Sequence, residues 1–246
     1  MKKLIYMVAI DHDKSQTKHS DYLEYSEVTW KYWCATNDVE FKMITKHDDK
    51  YGWPIFNKLN VCDETEYDWI GVVDDDTMIR WDTPNIFESL QPGVTGVNDI
   101  VNIRYLLGSL DVYKKFFNYD IDLNKYINAG VVFLDKKSLS VYDKLREFYF
   151  KNQEELDNWK LGGGREQTLF NYHLQSLGYD INLISPAWNL VHIHRKNMFT
   201  PNWQLKRNIP HFVNHSYIWH FTGFPTEQRK SVMEQTWDLV GSNYGS

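Results

Sequence analysis

Five apolar residues, Trp69-Ile70-Gly71-Val72-Val73, run without interruption from Asp68 into three consecutive acids, Asp74-Asp75-Asp76. A short apolar run bounded by polar residues is the pattern of a strand buried on both faces, which requires helices on both sides of a sheet. The exit of that strand then carries three negative charges. Neighbouring carboxylates disfavour one another's ionisation, and a cation relieves that strain. Open α/β sheets take ligands at the carboxyl ends of their strands, which is where the triplet falls. Along extended backbone, Asp74 and Asp76 project to one side and Asp75 to the other. Two carboxylates on one side form a hard oxygen site suited to Mg²⁺ or Mn²⁺. On its own the triplet reads equally well as a solvated acidic turn.

The rest of the chain alternates strand and helix around this run. Residues 4–10 form a β-rich stretch that ends in Asp11-His12-Asp13, and residues 21–35 place Tyr22, Tyr25, Thr29, Tyr32 and Trp33 at helical spacing. Residues 39–45 read as a strand, and 53–62 as a short helix with Pro54 in its first turn. Further strands are expected at 94–97, 131–134, 181–184 and 217–221. One long amphipathic helix is expected over 138–159 with Ser138 as its cap, then a break at Gly162-Gly163-Gly164 and a helix over 166–177. A last helix covers 225–240. This order predicts an α/β fold with a central, mostly parallel mixed sheet flanked by helices. With no linker visible, the 246 residues are expected to form a single domain spanning 1–246.

Composition narrows the function. A formal net charge of −6 argues against a nucleic-acid-binding surface while leaving room for a local basic pocket. Cys34 and Cys62 lack metal-site spacing and read as reduced structural residues. The apolar start is interrupted by Asp11 and Asp13 with no small-residue cleavage site, so it reads as a first strand rather than a signal peptide. No stretch has the length of a membrane span. A cytoplasmic location is the expectation.

The segment from Asp68 to Phe87 resembles the DxD region of GT-A fold glycosyltransferases, most closely the family 8 pattern of strand, DxD, apolar pair and loop. Other segments follow in that family's order. Asn128-Ala129-Gly130 resembles the strand entry that lines the donor-sugar pocket. A glycine there permits close approach of a ligand, and Asn128 offers both a donor and an acceptor. Glu166-Gln167 resembles the Asp-Gln pair at a helix start, with Glu in place of Asp. The resemblance implies that Glu166 holds sugar hydroxyls and that Gln167 lies near the anomeric carbon. Ser185-Pro186-Ala187-Trp188-Asn189 resembles a stretch that shapes the pocket floor, and His220-Phe221-Thr222-Gly223 the element whose histidine is a third metal ligand.

The resemblance thus implies a GT-A, Rossmann-like fold with a nucleotide-binding first half and an acceptor-binding second half. It implies Mn²⁺, or Mg²⁺, on Asp74, Asp76 and His220. Donor contacts are expected at Ala9, Asp11, Lys58, Asp75, Asn128, Ala129, Gly130 and Gly223, with Glu166 and Gln167 at the reacting centre. Lys58 reads equally as a solvent-facing helix position. Where the family places a lysine after the glycine, this chain has Thr226, and Arg229 and Lys230 follow as substitutes for a phosphate contact. His192 and His194 are expected to line an acceptor cleft or to be structural. The implied partners are a nucleotide-sugar donor, UDP-linked by preference, and a glycan or glycoconjugate acceptor, with retention of configuration. Rival readings are a metal-dependent phosphohydrolase or nucleotidyltransferase, and a non-catalytic nucleotide-sugar-binding module.

Overall fold

The computed structural model describes residues 1–11, 19–100, 102–157, 165–191, 193 and 209–245. Eight strands appear among them: β1 (Lys3–Val8), β2 (Glu40–Ile44), β3 (Trp69–Asp74), β4 (Thr77–Ile79), β5 (Val94–Asn98), β6 (Ile127–Asp135), β7 (Ile181–Leu183) and β8 (Ile218–His220). The α-helices are α1 (Leu23–Thr36), α2 (Ile103–Tyr113), α3 (Ser140–Lys151), α4 (Gln153–Asp157), α5 (Arg165–Ser176), α6 (His211–His215) and α7 (Thr226–Val240). Six strands form the main sheet in the order β2-β1-β3-β6-β5-β7, and β4 with β8 makes a separate two-stranded sheet. β6 runs against its neighbours β3 and β5, while the other pairs in the main sheet are parallel. The expected mixed, mostly parallel sheet is therefore the observed one.

Strand alternation divides the core. On one face Leu4, Tyr6, Val8, Ile70, Val72, Val132 and Leu134 join Tyr142, Leu145 and Tyr149 of α3 and Leu169 and Phe170 of α5. On the other face Ile5, Met7, Val73, Val131 and Phe133 join Trp30 and Trp33 of α1. A third cluster, which includes Met78, Trp219, Phe221 and Met233, wraps the small sheet. Cys34 and Cys62 are buried and free, as expected. No helix among the described residues is long and apolar enough to cross a membrane.

Several elements depart from the sequence reading. The long helix expected over 138–159 is broken. α3 ends at Asn152, whose side-chain amide donates to the Phe148 carbonyl (2.8 Å) while its backbone N–H is shared between Phe148 and Tyr149, and a separate α4 follows. Asn competes for helical backbone groups in this way, and it ends the helix. Ser138 does not cap α3. Leu139 holds the cap position, and the Ser138 N–H is instead bound by Asp135 Oδ1 at 2.8 Å. The Pro54–Asp63 segment is 3-10 rather than α-helical, with Pro54 in its first turn as expected. β4, α2 and α6 were not foreseen. Gly162-Gly163-Gly164, His12, His192 and His194 lie outside the described residues.

Gly71 sits between Ile5 and Phe133 in the sheet register. A Cβ at this position would meet Ile5 Cδ1 at 2.6 Å and Phe133 Cδ1 at 2.9 Å. The glycine is what allows bulky neighbours on the face covered by α1. Gly71→Val is expected to destabilise the protein by about 1–3 kcal/mol through overpacking, read as a lowered urea midpoint at unchanged slope.

Candidate metal and donor site

Because β6 is reversed, its first residues lie beside the last residues of β3. Val73 pairs with Val131, so Asn128-Ala129-Gly130 reaches the strand end that carries the acids. These three residues belong to the strand itself and are buried. β4 then folds back and pairs with β8, matching Thr77 to His220. The turn between β3 and β4 is fixed by the Thr77 hydroxyl, which donates to the Asp74 carbonyl (2.6 Å) and accepts from the Trp30 indole N–H (2.9 Å). The Phe221 N–H donates to the Asp76 carbonyl at 2.9 Å, tying the end of β8 to the same turn. A tryptophan of α1 thereby helps to set the geometry of a charged turn.

Asp74, Asp76 and His220 converge, each with a ligand atom within 4.8 Å of the others. His220 Nε2 lies 3.1 Å from Asp76 Oδ1 and 3.8 Å from Asp74 Oδ2. Cis ligands on an ion with bonds of about 2.1 Å stand roughly 3 Å apart, so the donor set is close to coordinating geometry. Asp74 ends a strand while Asp75 and Asp76 form a turn, so the two outer carboxylates meet through chain reversal rather than strand alternation. Gly130 supplies the space. A Cβ there would collide with the His220 imidazole and lie 2.5 Å from Asp74 Oδ2. The His220 ring is oriented by Asn189, whose Oδ1 accepts from Nδ1 at 3.0 Å, which leaves Nε2 for a ligand. Two carboxylates and an oriented imidazole fit a divalent cation.

Asp76 and His220 are buried and Asp74 is half-buried, and each acid has a cationic neighbour. Lys58, only 2% exposed, contacts Asp74 directly and stands 3.6 Å from Glu166 Oε2. Its solvent-facing alternative is thereby excluded. Burial opposes its charge, but Asp74 and Glu166 outweigh burial and raise its pKa above that of an ordinary lysine. Arg229 Nε lies 3.4 Å from Asp76 Oδ2, whereas Lys230 is exposed. Burial alone would raise the Asp76 carboxyl, but Arg229 and His220 hold it well below the usual carboxylate range. Asp75 is bound by His19 Nδ1, and burial raises its pKa in spite of that contact. Burial likewise disfavours the imidazolium of His220, yet Asp76 and Asp74 raise its pKa.

Glu166 and Gln167 enter from the first turn of α5. Glu166 is 4% exposed, and among the described residues its Oε1 has no hydrogen-bond partner. Burial, opposed by Lys58 and aided by Asp74, pushes its carboxyl up to about 7. Gln167 Oε1 accepts from Asn128 Nδ2 and from the Ala129 N–H, both at 3.1 Å, and its Nε2 donates to Asp99 Oδ2 at 3.1 Å. Asn128 Nδ2 also donates to Asp99 (3.0 Å), and its Oδ1 accepts from Asn189 Nδ2 and the Gly130 N–H, both at 2.9 Å. One network therefore runs from His220 through Asn189 and Asn128 to Gln167. Asn171 fastens α5 to β6 by serving both the N–H and the carbonyl of Ile127, at 2.8 Å each.

The other sequence candidates lie at the margin. Ala9 is buried where β1 ends, its N–H bound to the Ile44 carbonyl, and Asp11 is exposed beyond it. Gly223 is exposed in the turn after β8 at φ 81°, a left-handed conformation that glycine adopts without strain. Sequence reasoning missed Asp99, His19 and the bond from Asn189 to His220. Each lies far in sequence from the residue it serves.

No family model matches the sequence, and no curated protein resembles it in sequence. Solved structures do resemble it. One is a glycosyltransferase involved in the glycosylation of the major capsid of PBCV-1, at TM-score 0.58 and 12% identity, covering 96% of this chain and 100% of that one. Another is the galactosyltransferase LgtC in complex with donor and acceptor sugar analogs, at TM-score 0.52 and 14% identity, with 97% and 95% covered. A third is the glycosyltransferase GlyE of Streptococcus pneumoniae TIGR4, at TM-score 0.52 and 12% identity, with 98% of this chain and 64% of that one covered. At these identities the likeness is one of fold, and the chain has the GT-A fold of these glycosyltransferases.

Two outcomes are expected from this geometry. Gly130→Ala displaces two of the three ligand side chains and weakens Mn²⁺ binding by ~10–100-fold, measured by the free-Mn²⁺ electron paramagnetic resonance signal. Burial lifts the Glu166 carboxyl in the folded state to about 7, above the 4.5 of an ordinary glutamate. The folded state thus holds this proton more tightly, and the stability it contributes at low pH is lost as pH rises from 4.5 through about 7. Melting temperature in wild type should fall more steeply across that window than in Glu166→Gln. Equal slopes would remove Glu166 as the source.

Proposed function

We propose that this chain is a metal-dependent glycosyltransferase that moves a sugar from a nucleoside-diphosphate sugar, UDP-linked, to a hydroxyl of a glycan or glycoconjugate acceptor. The observation that carries this reading is the Asp74, Asp76 and His220 cluster, set where β3, β4, β6 and β8 converge in a chain with a glycosyltransferase fold. Mn²⁺ is the assigned ion, because an imidazole beside two carboxylates favours it over Mg²⁺. When bound, it supplies Lewis-acid neutralisation of the departing diphosphate.

The side chains around the cluster divide the remaining work. Ala9, Asp11 and Asp75 stand on the side assigned to the nucleoside, and Lys58 beside Asp74 meets the donor. Asn128, Ala129 and Gly130 line the sugar pocket, and Gly223 lets the backbone approach the diphosphate. Glu166 Oε1, an acceptor without a partner, receives a sugar hydroxyl. The Gln167 amide is held by three hydrogen bonds, so it offers the anomeric centre a fixed dipole rather than a mobile group.

Retention is the stereochemistry we assign. An inverting enzyme needs a carboxylate poised as a base beside the acceptor. Near Gln167, Asp99 is engaged by two donors and Glu166 is buried beside Lys58. The chain is read as one domain over residues 1–246, nucleotide-binding in its first half and acceptor-binding in its second. A cytoplasmic enzyme of glycan biosynthesis is the matching cellular role.

A screen of nucleotide sugars by thermal shift and turnover, with and without Mn²⁺, tests the reading. At least one UDP-linked donor should raise the melting temperature only when Mn²⁺ is present. Asp76→Asn should lower kcat by ~10²–10³-fold, the equivalent of several kcal/mol of lost charge stabilisation. Binding of no nucleoside-diphosphate sugar, or an indifference to chelation, would overturn it. Nucleotide release as fast without acceptor as with it would mark a phosphohydrolase instead.

A further inference from the structure

Twelve large apolar side chains are exposed among the described residues, and four of them, Ile100, Ile103, Tyr105 and Leu107, fall within eight consecutive positions. Ile103 and Leu107 stand one turn apart on α2, 48% and 51% exposed. The inner face of α2 is made by Leu106, Ser109 and Tyr113, which are buried, and Ser109 Oγ lies 2.6 Å from Thr168 Oγ1 on α5. α2 thus turns a second apolar stripe outward, where a surface helix ordinarily carries polar residues.

The stripe leads into a cavity of about 570 Å³, lined by Leu107, Gly108 and Leu110 of α2, by Ile121 and Leu123, and by Tyr172 of α5. Gly108 sits at the middle of α2, where only proline is a poorer choice. Its φ is not positive, and a Cβ there would meet no atom of the described residues within 4 Å. Neither backbone conformation nor close packing explains the missing side chain. Room in the cavity does.

Charge and size select the occupant. Lys114 on the lining is paired with Asp120 at 2.9 Å, and Asp111 adds a second acid. An anionic group is disfavoured there, whereas four aliphatic side chains suit an uncharged apolar chain. The volume is that of a small-molecule site, while a protein partner needs about 800 Å² of surface on each side. Position then says which molecule brings the chain. The stripe starts at Ile100, next to Asp99, which accepts from both Gln167 and Asn128. Tyr172 stands five residues along α5 from Gln167, about 7–8 Å by the helical rise.

We propose that the groove along α2 binds the apolar chain of an amphiphilic acceptor, an acyl or isoprenoid-like group joined to the sugar that is glycosylated. This acceptor assignment rests on the transferase reading above and narrows it. The sugar end lies beside Asp99 and Gln167, and the hydrocarbon follows Ile100, Ile103 and Leu107 into the cavity. Gly108 is the specificity-determining residue, because any side chain at that position takes the space the chain needs.

The test uses the full chain with Mn²⁺ and UDP, and compares n-octyl β-D-glucopyranoside, kept below its micelle concentration, with the methyl glycoside. Binding is followed by ligand-observed NMR titration. The octyl compound should bind at least ~10-fold more tightly, as the burial of a few methylenes requires. Bound Mn²⁺ reports the orientation: its paramagnetic broadening should be stronger for the sugar ring protons than for the terminal methyl. Gly108→Leu fills the cavity and favours the helix. It should melt no lower than wild type, bind UDP as wild type does, and lose the octyl advantage. Leu107→Ser should reduce that advantage severalfold.

An octyl glycoside that binds no better than the methyl one overturns the proposal, as does a Gly108→Leu variant that keeps the difference. A terminal methyl broadened as strongly as the ring reverses the orientation and rejects it too. Co-sedimentation with phosphatidylglycerol vesicles that rises in Gly108→Leu, with no octyl preference in wild type, marks a membrane-binding face and rejects the groove. If Mn²⁺ and UDP fail to bind while the octyl preference stands, the transferase reading fails and the acceptor assignment falls with it. If both bind and the preference is missing, only the groove assignment fails.

Discussion

The structure is organised around the burial of negative charge. Asp75, Asp76 and Glu166 are each no more than 6% exposed, and Asp74 shares their pocket. Carboxylates withdrawn from water are strongly disfavoured unless cations and donors replace the lost hydration. The replacements come from both ends of the chain: His19 before α1, Lys58 from the 3-10 helix, His220 from β8 and Arg229 from α7. Asp74 and Asp76 each have two such partners, so removing one weakens the compensation of a withdrawn charge rather than abolishing it. The site thus requires the N-terminal and C-terminal thirds of the chain to meet at one point.

The reversed strand makes that meeting possible. With β6 antiparallel, its amino end joins the carboxyl end of β3, and the backbone of Asn128-Ala129-Gly130 becomes a wall of the pocket. A parallel strand at this place would bring its carboxyl end instead, here Leu134-Asp135. Gly130 shows how close the approach is, since even one methyl group would strike both His220 and Asp74. The small sheet of β4 and β8 completes the enclosure, and its register places Thr77 opposite His220. Topology and ligand geometry are therefore one constraint.

Much of this was legible in the chain. The apolar run before Asp74, the strand after Asn128 and the apolar pair before His220 each announce a local element, and strong local patterns survive in the fold. The order of motifs then brought Asp74, Asp76 and His220 together without any contact information. What escaped was of two kinds. Short elements such as β4 have too few residues to show a period, and α3 was overrun because its stop is a single Asn152 competing for carbonyls. The second kind is long-range pairing: nothing in Arg229 or Asp99 as residues reveals that one faces Asp76 and the other Gln167. Asn189 illustrates the point, since the sequence suggested a pocket floor while its amide also aligns the His220 ring. Polar side chains disclose their partners only after the backbone is placed.

The Glu166 position shows how a one-carbon change is absorbed. Where the resembled pattern has Asp, the longer side chain is buried, and its Oε2 finds Lys58 at 3.6 Å. Lys58 must then serve two carboxylates, Asp74 and Glu166, with one charge. That shortage, added to burial, places the Glu166 carboxyl at about 7, where proton and charge are nearly balanced. Its Oε1 has no donor among the described residues. A hydroxyl group would suit that oxygen in either protonation state, since a hydroxyl both gives and receives hydrogen bonds. The extra reach of Glu166 is thus matched by a shared lysine, and the same sharing leaves the site short of positive charge.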